Sequence, residues 1–294
     1  SSKINVLIPL LIEIRSLQEK TVIISNYTQV LELLEDVLKK LNISFLRLDG
    51  QTPKKDRDRL VRQFNSTPPS QNSVFLLSAK SGGVGLNLVG ASRLVLFDND
   101  WNPSVDIQAM ARIHRDGQRR PVFVYRLFTT GCIDEKIFQR QLMKISLSDK
   151  FIDNKADSSN DVFGAEDLKD LFTVVDDTNS NTHDLLECQC SGRGEKVEGF
   201  PQDEKSSEEE PEETNRNLMS SQTNGWMTAL DYNKLSQSET KKAATFRYAL
   251  LEYCHYNPQA SNQDLGDQVL NLIISNSPNC ISYSLLKKTE NALD

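Results

Sequence analysis

Through its first 150 residues the chain alternates short apolar, β-branched runs with amphipathic stretches of helical period, and this limits its fold more than any other feature. Thr-Val-Ile-Ile-Ser at residues 21–25 reads as a strand. Thr28 opens a helix whose apolar face carries Leu31, Leu34, Val37, Leu38 and Leu41. Residues 43–48 read as a second strand, and Pro53 suits the first turn of a helix that reaches Phe64. Strands over 74–77, 93–97 and 122–127 and helices over 103–115 and 133–143 continue the pattern. Such alternation predicts an α/β fold, a parallel sheet with helices on both faces. Ligands of such sheets sit beyond the carboxyl ends of the strands.

After residue 150 the signal weakens. A polar loop over 153–161 and a short helix over 165–172 are expected. Residues 196–217 are acidic and serine-rich around Glu208-Glu209-Glu210-Pro211-Glu212-Glu213, the composition of a disordered linker. Apolar and aromatic residues return from Trp226, with a helix expected over 238–253. The expected division is a lobe over 1–150, an extension over 151–195, an acidic linker over 196–225 and a small helical tail over 226–294.

Charge follows the same division. The chain carries a net charge of −7, but residues 1–150 hold 22 Lys and Arg against 15 Asp and Glu, while the rest is strongly acidic. The first part can meet a polyanion and the second would repel one. A balance this mildly basic does not by itself establish nucleic-acid binding. No apolar run is long enough to span a bilayer, so no membrane partner is expected. The chain opens on Ser1 without the pattern of a secretory signal. Its five scattered cysteines do not read as a disulfide framework. The expectation is a soluble intracellular chain, a fragment of something longer.

Two segments carry chemistry. In Gln108-Ala109-Met110-Ala111-Arg112-Ile113-His114-Arg115-Asp116-Gly117-Gln118, a helix would put Gln108, Arg112 and Arg115 on one face. Two guanidinium groups side by side suit a triphosphate, since each donates paired hydrogen bonds to phosphate oxygens. A solvated arginine face is the plain alternative. Ser78-Ala79-Lys80-Ser81-Gly82-Gly83-Val84-Gly85-Leu86-Asn87-Leu88 follows a strand, and its glycines let backbone N–H groups approach a phosphate. Many such loops are only tight turns. His183, Cys188 and Cys190 are candidate zinc ligands, with Cys132, Cys254, His255 or Cys280 as a possible fourth; buried or free thiols explain them equally well.

In this order the segments resemble the C-terminal lobe of the SWI/SNF-like DNA translocases, on a RecA-like fold, over roughly residues 1–150. Ile24-Ser25-Asn26-Tyr27-Thr28, Leu46-Arg47-Leu48-Asp49-Gly50 with Arg62-Gln63-Phe64-Asn65, and Asp98-Asn99-Asp100-Trp101-Asn102-Pro103 carry the resemblance beside the two segments above. Arg115-Asp116-Gly117-Gln118, residues 135–141 and Thr182-His183-Asp184-Leu185-Leu186-Glu187-Cys188-Gln189-Cys190 resemble the homologous-recombination branch. The acidic tail with Trp226-Met227-Thr228-Ala229-Leu230 resembles its second, meiosis-linked paralogue in fungi.

The resemblance implies ATP with Mg²⁺ as cofactor, double-stranded DNA and a RecA-type recombinase as partners, and a nuclear location. It implies Arg112 and Arg115 at the γ-phosphate with Gln108 beside them, Arg115 being the finger. Gly85 and Asn87 would lie near the nucleotide, and Ser25, Asn26, Ser78 and Lys80 would touch the DNA backbone. Trp101 is expected to pack beneath the arginine helix, and His114 to be a helix-face residue. The chain contains no Gly-x-x-x-x-Gly-Lys-[Ser/Thr] loop, which the resemblance assigns to a separate N-terminal motor lobe. Alone, the chain is expected to turn over ATP negligibly. A nucleosome-remodelling ATPase and a non-catalytic DNA- or partner-binding module are the rival readings.

Overall fold

The structure is a computed structural model. It describes residues 1–81, 85–151, 171–185, 188, 190–196, 253–260, 264–277 and 279–288. These fall into two compact units, residues 1–138 with 264–281, and residues 139–263 with 282–294.

In the first unit the elements run α1 (Ser2–Ser16), β1 (Thr21–Ser25), α2 (Thr28–Lys40), β2 (Phe45–Leu48), α3 (Lys54–Ser66), β3 (Val74–Ser78), β4 (Arg93–Leu96), α4 (Pro103–Met110) and β5 (Phe123–Arg126), and α5 (Ile133–Phe151) begins here. The five strands form one parallel sheet in the order β2-β3-β1-β4-β5. β1, β3 and β4 are buried along their whole length, as strands covered on both faces must be. Their residues alternate between two cores. Ile23, Leu76 and Val95 join Leu7, Leu10, Leu31 and Leu34 on one face, while Val22, Ile24, Phe75, Leu77, Leu94 and Leu96 join Phe64, Ala109 and Ile113 on the other. This is the expected α/β, RecA-like architecture. Among the described residues no helix is long and apolar enough to cross a membrane.

Three elements differ from expectation. α1 has no counterpart in the sequence reading, although Leu7, Leu10, Leu11 and Ile14 are buried at helical spacing. The helix expected over 103–115 stops at Met110, so Arg112 and Arg115 lie on turns. The helix expected over 133–143 continues to Phe151. The helices expected over 165–172 and 238–253 and most of the acidic stretch lie outside the described residues.

The helix Gln268–Asn276 belongs to the first unit although over a hundred residues separate it from β5. Val269 and Ile273 are buried in the same core as α1. Asp267 caps this helix, accepting from Val269 N at 3.1 Å, and accepts from Arg93 at 2.6 Å and from the Tyr125 hydroxyl at 2.6 Å. Arg93 and Asp267 are each 3% exposed. Arg93 also pairs with Glu19 at 2.5 Å, so removing Asp267 leaves the buried guanidinium one carboxylate and the Tyr125 hydroxyl without its acceptor. Asp267→Ala is therefore expected to lower unfolding stability by about 3 kcal/mol in a denaturant melt, the low end of what breaking a buried pair costs, and a loss under ~1 kcal/mol would mean the contact is incidental.

In the second unit β6 (Arg193–Lys196), β7 (Cys254–Tyr256) and β8 (Ser284–Leu286) form an antiparallel sheet in that order. A short helix, Asn181–Leu185, precedes it. The tail expected as helical thus supplies two strands and one helix. Gly194 has φ 83°, and a Cβ there would stand 2.1 Å from the Tyr256 ring, so this crossing of β6 and β7 requires glycine. Lys196 pairs with Cys254 across the ladder, so the two ends of the stretch 197–253 are hydrogen-bonded neighbours. The acidic stretch therefore connects residues that are already neighbours. Shortening a connection of this length changes its closure cost by under about 1 kcal/mol. Deleting residues 199–217 is expected to change unfolding stability by under about 1 kcal/mol in a denaturant melt; loss of the cooperative transition would contradict it.

Candidate functional site

The motif residues that directly follow β1, β3 and β4, from Ser25, Ser78 and Asp98, lie at the carboxyl ends of those strands. β1 leads away through α2 toward β2, and β4 leads the other way to β5, so the crevice of a switch point opens between these neighbours. Asp98 bridges it. Its carboxylate accepts from the Ser25 hydroxyl and, at 2.7 Å, from the backbone N–H of Asn26. Ser25 is fully buried and Ser78 is 4% exposed, so both belong to the scaffold under the surface. Of the four residues that the resemblance puts on DNA, Asn26 is half-buried and Lys80 exposed. The Asn26 side-chain oxygen is buried without a hydrogen-bond partner.

The arginine segment is held differently from a helix face. Asn102 caps α4, accepting from Ser104 N at 3.1 Å, with Pro103 in the first turn. After Met110 the chain tightens into i→i+3 turns, with Arg112 N donating to Ala109 O and Ile113 N to Met110 O. Two tertiary contacts account for the break: Ile113 is fully buried, and Arg112 O accepts from Leu88 N at 3.0 Å. Gln108 is exposed, Arg112 half-buried and Arg115 exposed. Burial first, and then the neighbouring Arg115 charge, hold Arg112 below the ordinary arginine range. Two guanidinium groups that repel each other gain most when an anion sits between them. His114 is exposed.

Gly85 has φ 110° with open space where a Cβ would be, and Asn87 is exposed. Gly82, Gly83 and Val84 lie outside the described residues. Arg115 donates to Leu86 O at 3.5 Å, so the arginine turn and the glycine loop meet. Trp101 is 43% exposed and does not fill the packing position expected of it; a tryptophan at the rim of a strand end has water on one face. Sequence reasoning gave no part to Arg126 and Asp106. They form a 3.0 Å ion pair that fixes the first turn of α4 to β5.

The second unit brings His183, Cys188, Cys190 and His255 together, their four ligand atoms all within 4.8 Å of one another. His183 Nε2 lies 3.1 Å from Cys190 Sγ, and His255 Nδ1 lies 3.6 Å from Cys188 Sγ and 3.5 Å from Cys190 Sγ. With Zn–N and Zn–S bonds of tetrahedral zinc, neighbouring N and S ligands stand ~3.5 Å apart. The donor set and spacing fit that ion. His255 thus fills the fourth place, and Cys132, Cys254 and Cys280 are outside the cluster. Burial lowers the His183 pKa, with Asp184 opposing, which favours the neutral, ligating imidazole. The Tyr283 hydroxyl lies 3.7 Å from Cys190 Sγ, and burial pushes its pKa up, so it remains a donor to the sulfur. None of the five cysteines is in a disulfide.

Residues 2–117 match the helicase conserved C-terminal domain family. Over 301 residues, 99% of this chain, the sequence is 49% identical to the DNA repair and recombination protein RDH54 of Saccharomyces cerevisiae strain YJM789, of which it covers 31%. Over 206 residues, 68% of this chain, it is 49% identical to the human DNA repair and recombination protein RAD54B, of which it covers 22%. Among solved structures, the C-terminal part of the Fun30 ATPase domain is 44% identical, with 47% of this chain and 45% of that one covered and a TM-score of 0.45.

Proposed function

From the premise that the chain belongs to the helicase C-terminal domain family, in the recombination branch of the SWI/SNF-like proteins, we propose that it is the second motor lobe of an ATP-dependent double-stranded DNA translocase. The observation that carries this reading is the meeting of Arg112 and Arg115 with the Gly85–Asn87 loop. Such a site offers two cations and open backbone to a triphosphate, and the chain has no phosphate loop of its own.

ATP and Mg²⁺ are shared with a first lobe, and this chain supplies the arginines. Arg115, exposed and held only at a backbone carbonyl, reaches the γ-phosphate when the lobes close, and stabilises charge that builds on its oxygens. Arg112 holds the phosphate beside it, and Gln108 orients the same group. Asn26 and Lys80 grip the DNA backbone, which suits a motor that tracks any sequence. Reopening after hydrolysis shifts that grip along the duplex. Its purpose is recombinational repair in the nucleus, including meiosis, by remodelling a RecA-type recombinase filament and assisting strand invasion; the names of its relatives, DNA repair and recombination proteins, support the repair and recombination part of this reading.

The second unit holds Zn²⁺ at His183, Cys188, Cys190 and His255, a four-ligand closed site that supplies folding energy and no chemistry. The same unit favours the recombination reading over a nucleosome remodeller, because the RDH54 identity extends through it. The decisive experiment joins this chain to its matching first lobe and measures ATP hydrolysis with and without double-stranded DNA. DNA-raised turnover supports the motor; turnover indifferent to DNA supports a non-catalytic module.

A further inference from the structure

The segment 85–91 forms neither helix nor strand, and its shape is imposed from two sides. On one side stands Asn65, at the end of α3. Its side-chain amide donates to Asn87 O at 2.8 Å, and its oxygen accepts from Gly90 N at 3.0 Å. The approach is close: a Cβ on Gly90 would lie 2.9 Å from both Asn65 Cα and Asn65 Oδ1. On the other side stands Gln118, just past the arginine turn. Its amide donates to Ala91 O at 2.7 Å and to Ile113 O at 3.1 Å, while its oxygen accepts from Arg120 N at 3.1 Å. One side chain thus bonds the far end of the loop and the middle of the arginine turn together. The backbone bond from Leu88 N to Arg112 O lies between them.

We propose that Asn65 and Gln118 are positioning residues that clamp segment 85–91, the nucleotide-side continuation of the chain that carries Lys80, to α3 and to the arginine turn, so that this segment and Arg112–Arg115 move as one piece and DNA sets the rate of hydrolysis. This rests on the motor-lobe reading. Neither residue touches nucleotide or DNA in the proposed cycle. Each carboxamide is used on both ends, a task that neither a carboxylate nor a methyl group can perform. In Asn65→Asp the acceptor for Gly90 N survives, but an oxygen faces the Asn87 carbonyl. In Gln118→Glu an oxygen faces Ala91 O and Ile113 O. Shape and volume are kept while the clamp is opened.

The test uses the whole protein, with ATP turnover measured across ATP concentrations, with and without double-stranded DNA, alongside a thermal melt. Asn65→Asp and Gln118→Glu are expected to lower the ratio of DNA-stimulated to basal kcat by about tenfold, as small misplacement of catalytic groups does, with KM for ATP changed under about twofold. The double variant is expected to lose little more than either single one, since both open the same clamp. If the wild-type protein shows no stimulation by DNA, the motor reading fails first. If the wild type is stimulated and the variants keep its ratio, or lose basal and stimulated turnover equally, the clamp is structural only and the proposal is overturned. Asn65→Ala and Gln118→Ala serve where a carboxylate variant melts early, with the same outcomes.

Discussion

Arg115→Ala is expected to lower DNA-stimulated ATP turnover of the whole protein by ~10³-fold or more, the effect of losing an arginine finger from a phosphoryl-transfer site. The size follows from where Arg115 is tied. It is exposed, and the hydrogen bond its side chain makes among the described residues is a 3.5 Å contact to Leu86 O. Removing it should change unfolding stability by no more than about 0.5 kcal/mol, as at other surface sites. Loss of turnover without loss of stability is the signature of a group needed only when charge spreads onto the γ-phosphate. Arg115→Lys should recover little, because an ammonium cannot donate the paired, planar hydrogen bonds of a guanidinium. Arg112 is half-buried and its carbonyl holds Leu88, so its variants mix catalytic and structural loss. Turnover within severalfold of wild type in Arg115→Ala would remove the finger assignment and leave a decayed or regulatory lobe.

The parts of the fold legible in the sequence are those set by local period. β1 and β3 are continuous apolar runs because the sheet is covered on both faces, and α2 is a clean amphipathic helix because one face meets the sheet and the other meets water. α1 is hard to read because its own apolar residues run round more than one face and Pro9 sits inside it, so no single stripe stands out. The end of α4 was illegible for a different reason. Gln108, Arg112 and Arg115 have helical spacing, and only the burial of Ile113 and the bond from Leu88 N to Arg112 O turn the chain away after Met110. Ser25 and Ser78 could be seen as motif residues, but not as buried ones; their burial depends on which strands flank them. At the metal cluster the sequence offers His183, Cys188 and Cys190 together. His255 and Tyr283 arrive from far along the chain, after an acidic stretch that reads as the end of ordered structure. The pairing of Lys196 with Cys254 returns them.

Removal of zinc is expected to unfold the second unit's small sheet, a larger effect than any single core substitution there. The three strands are only 4, 3 and 3 residues long, and a three-stranded sheet needs a hydrophobic face or packing against another element to stand alone. A zinc ion at the proposed site would provide that support by tying together the helix Asn181–Leu185 through His183, the approach to β6 through Cys188 and Cys190, and β7 through His255. Structural zinc contributes an apparent ~10–16 kcal/mol near neutral pH. Protons compete with the ion for both thiolates and both imidazoles, so retention of metal falls as pH is lowered. His255→Ala deletes the ligand brought in from β7 and should release the ion, since three remaining ligands leave the site open. Metal content of the purified chain, followed by a melt with and without a chelator, checks both statements. One zinc per chain in the wild type, and a lower melting transition in His255→Ala or on chelation, is the expected result. A chain that holds no zinc, or whose melting ignores both the variant and the chelator, would show instead that the four side chains pack as thiols and imidazoles alone, with the Cys190–Tyr283 and His183–Tyr283 contacts holding the unit.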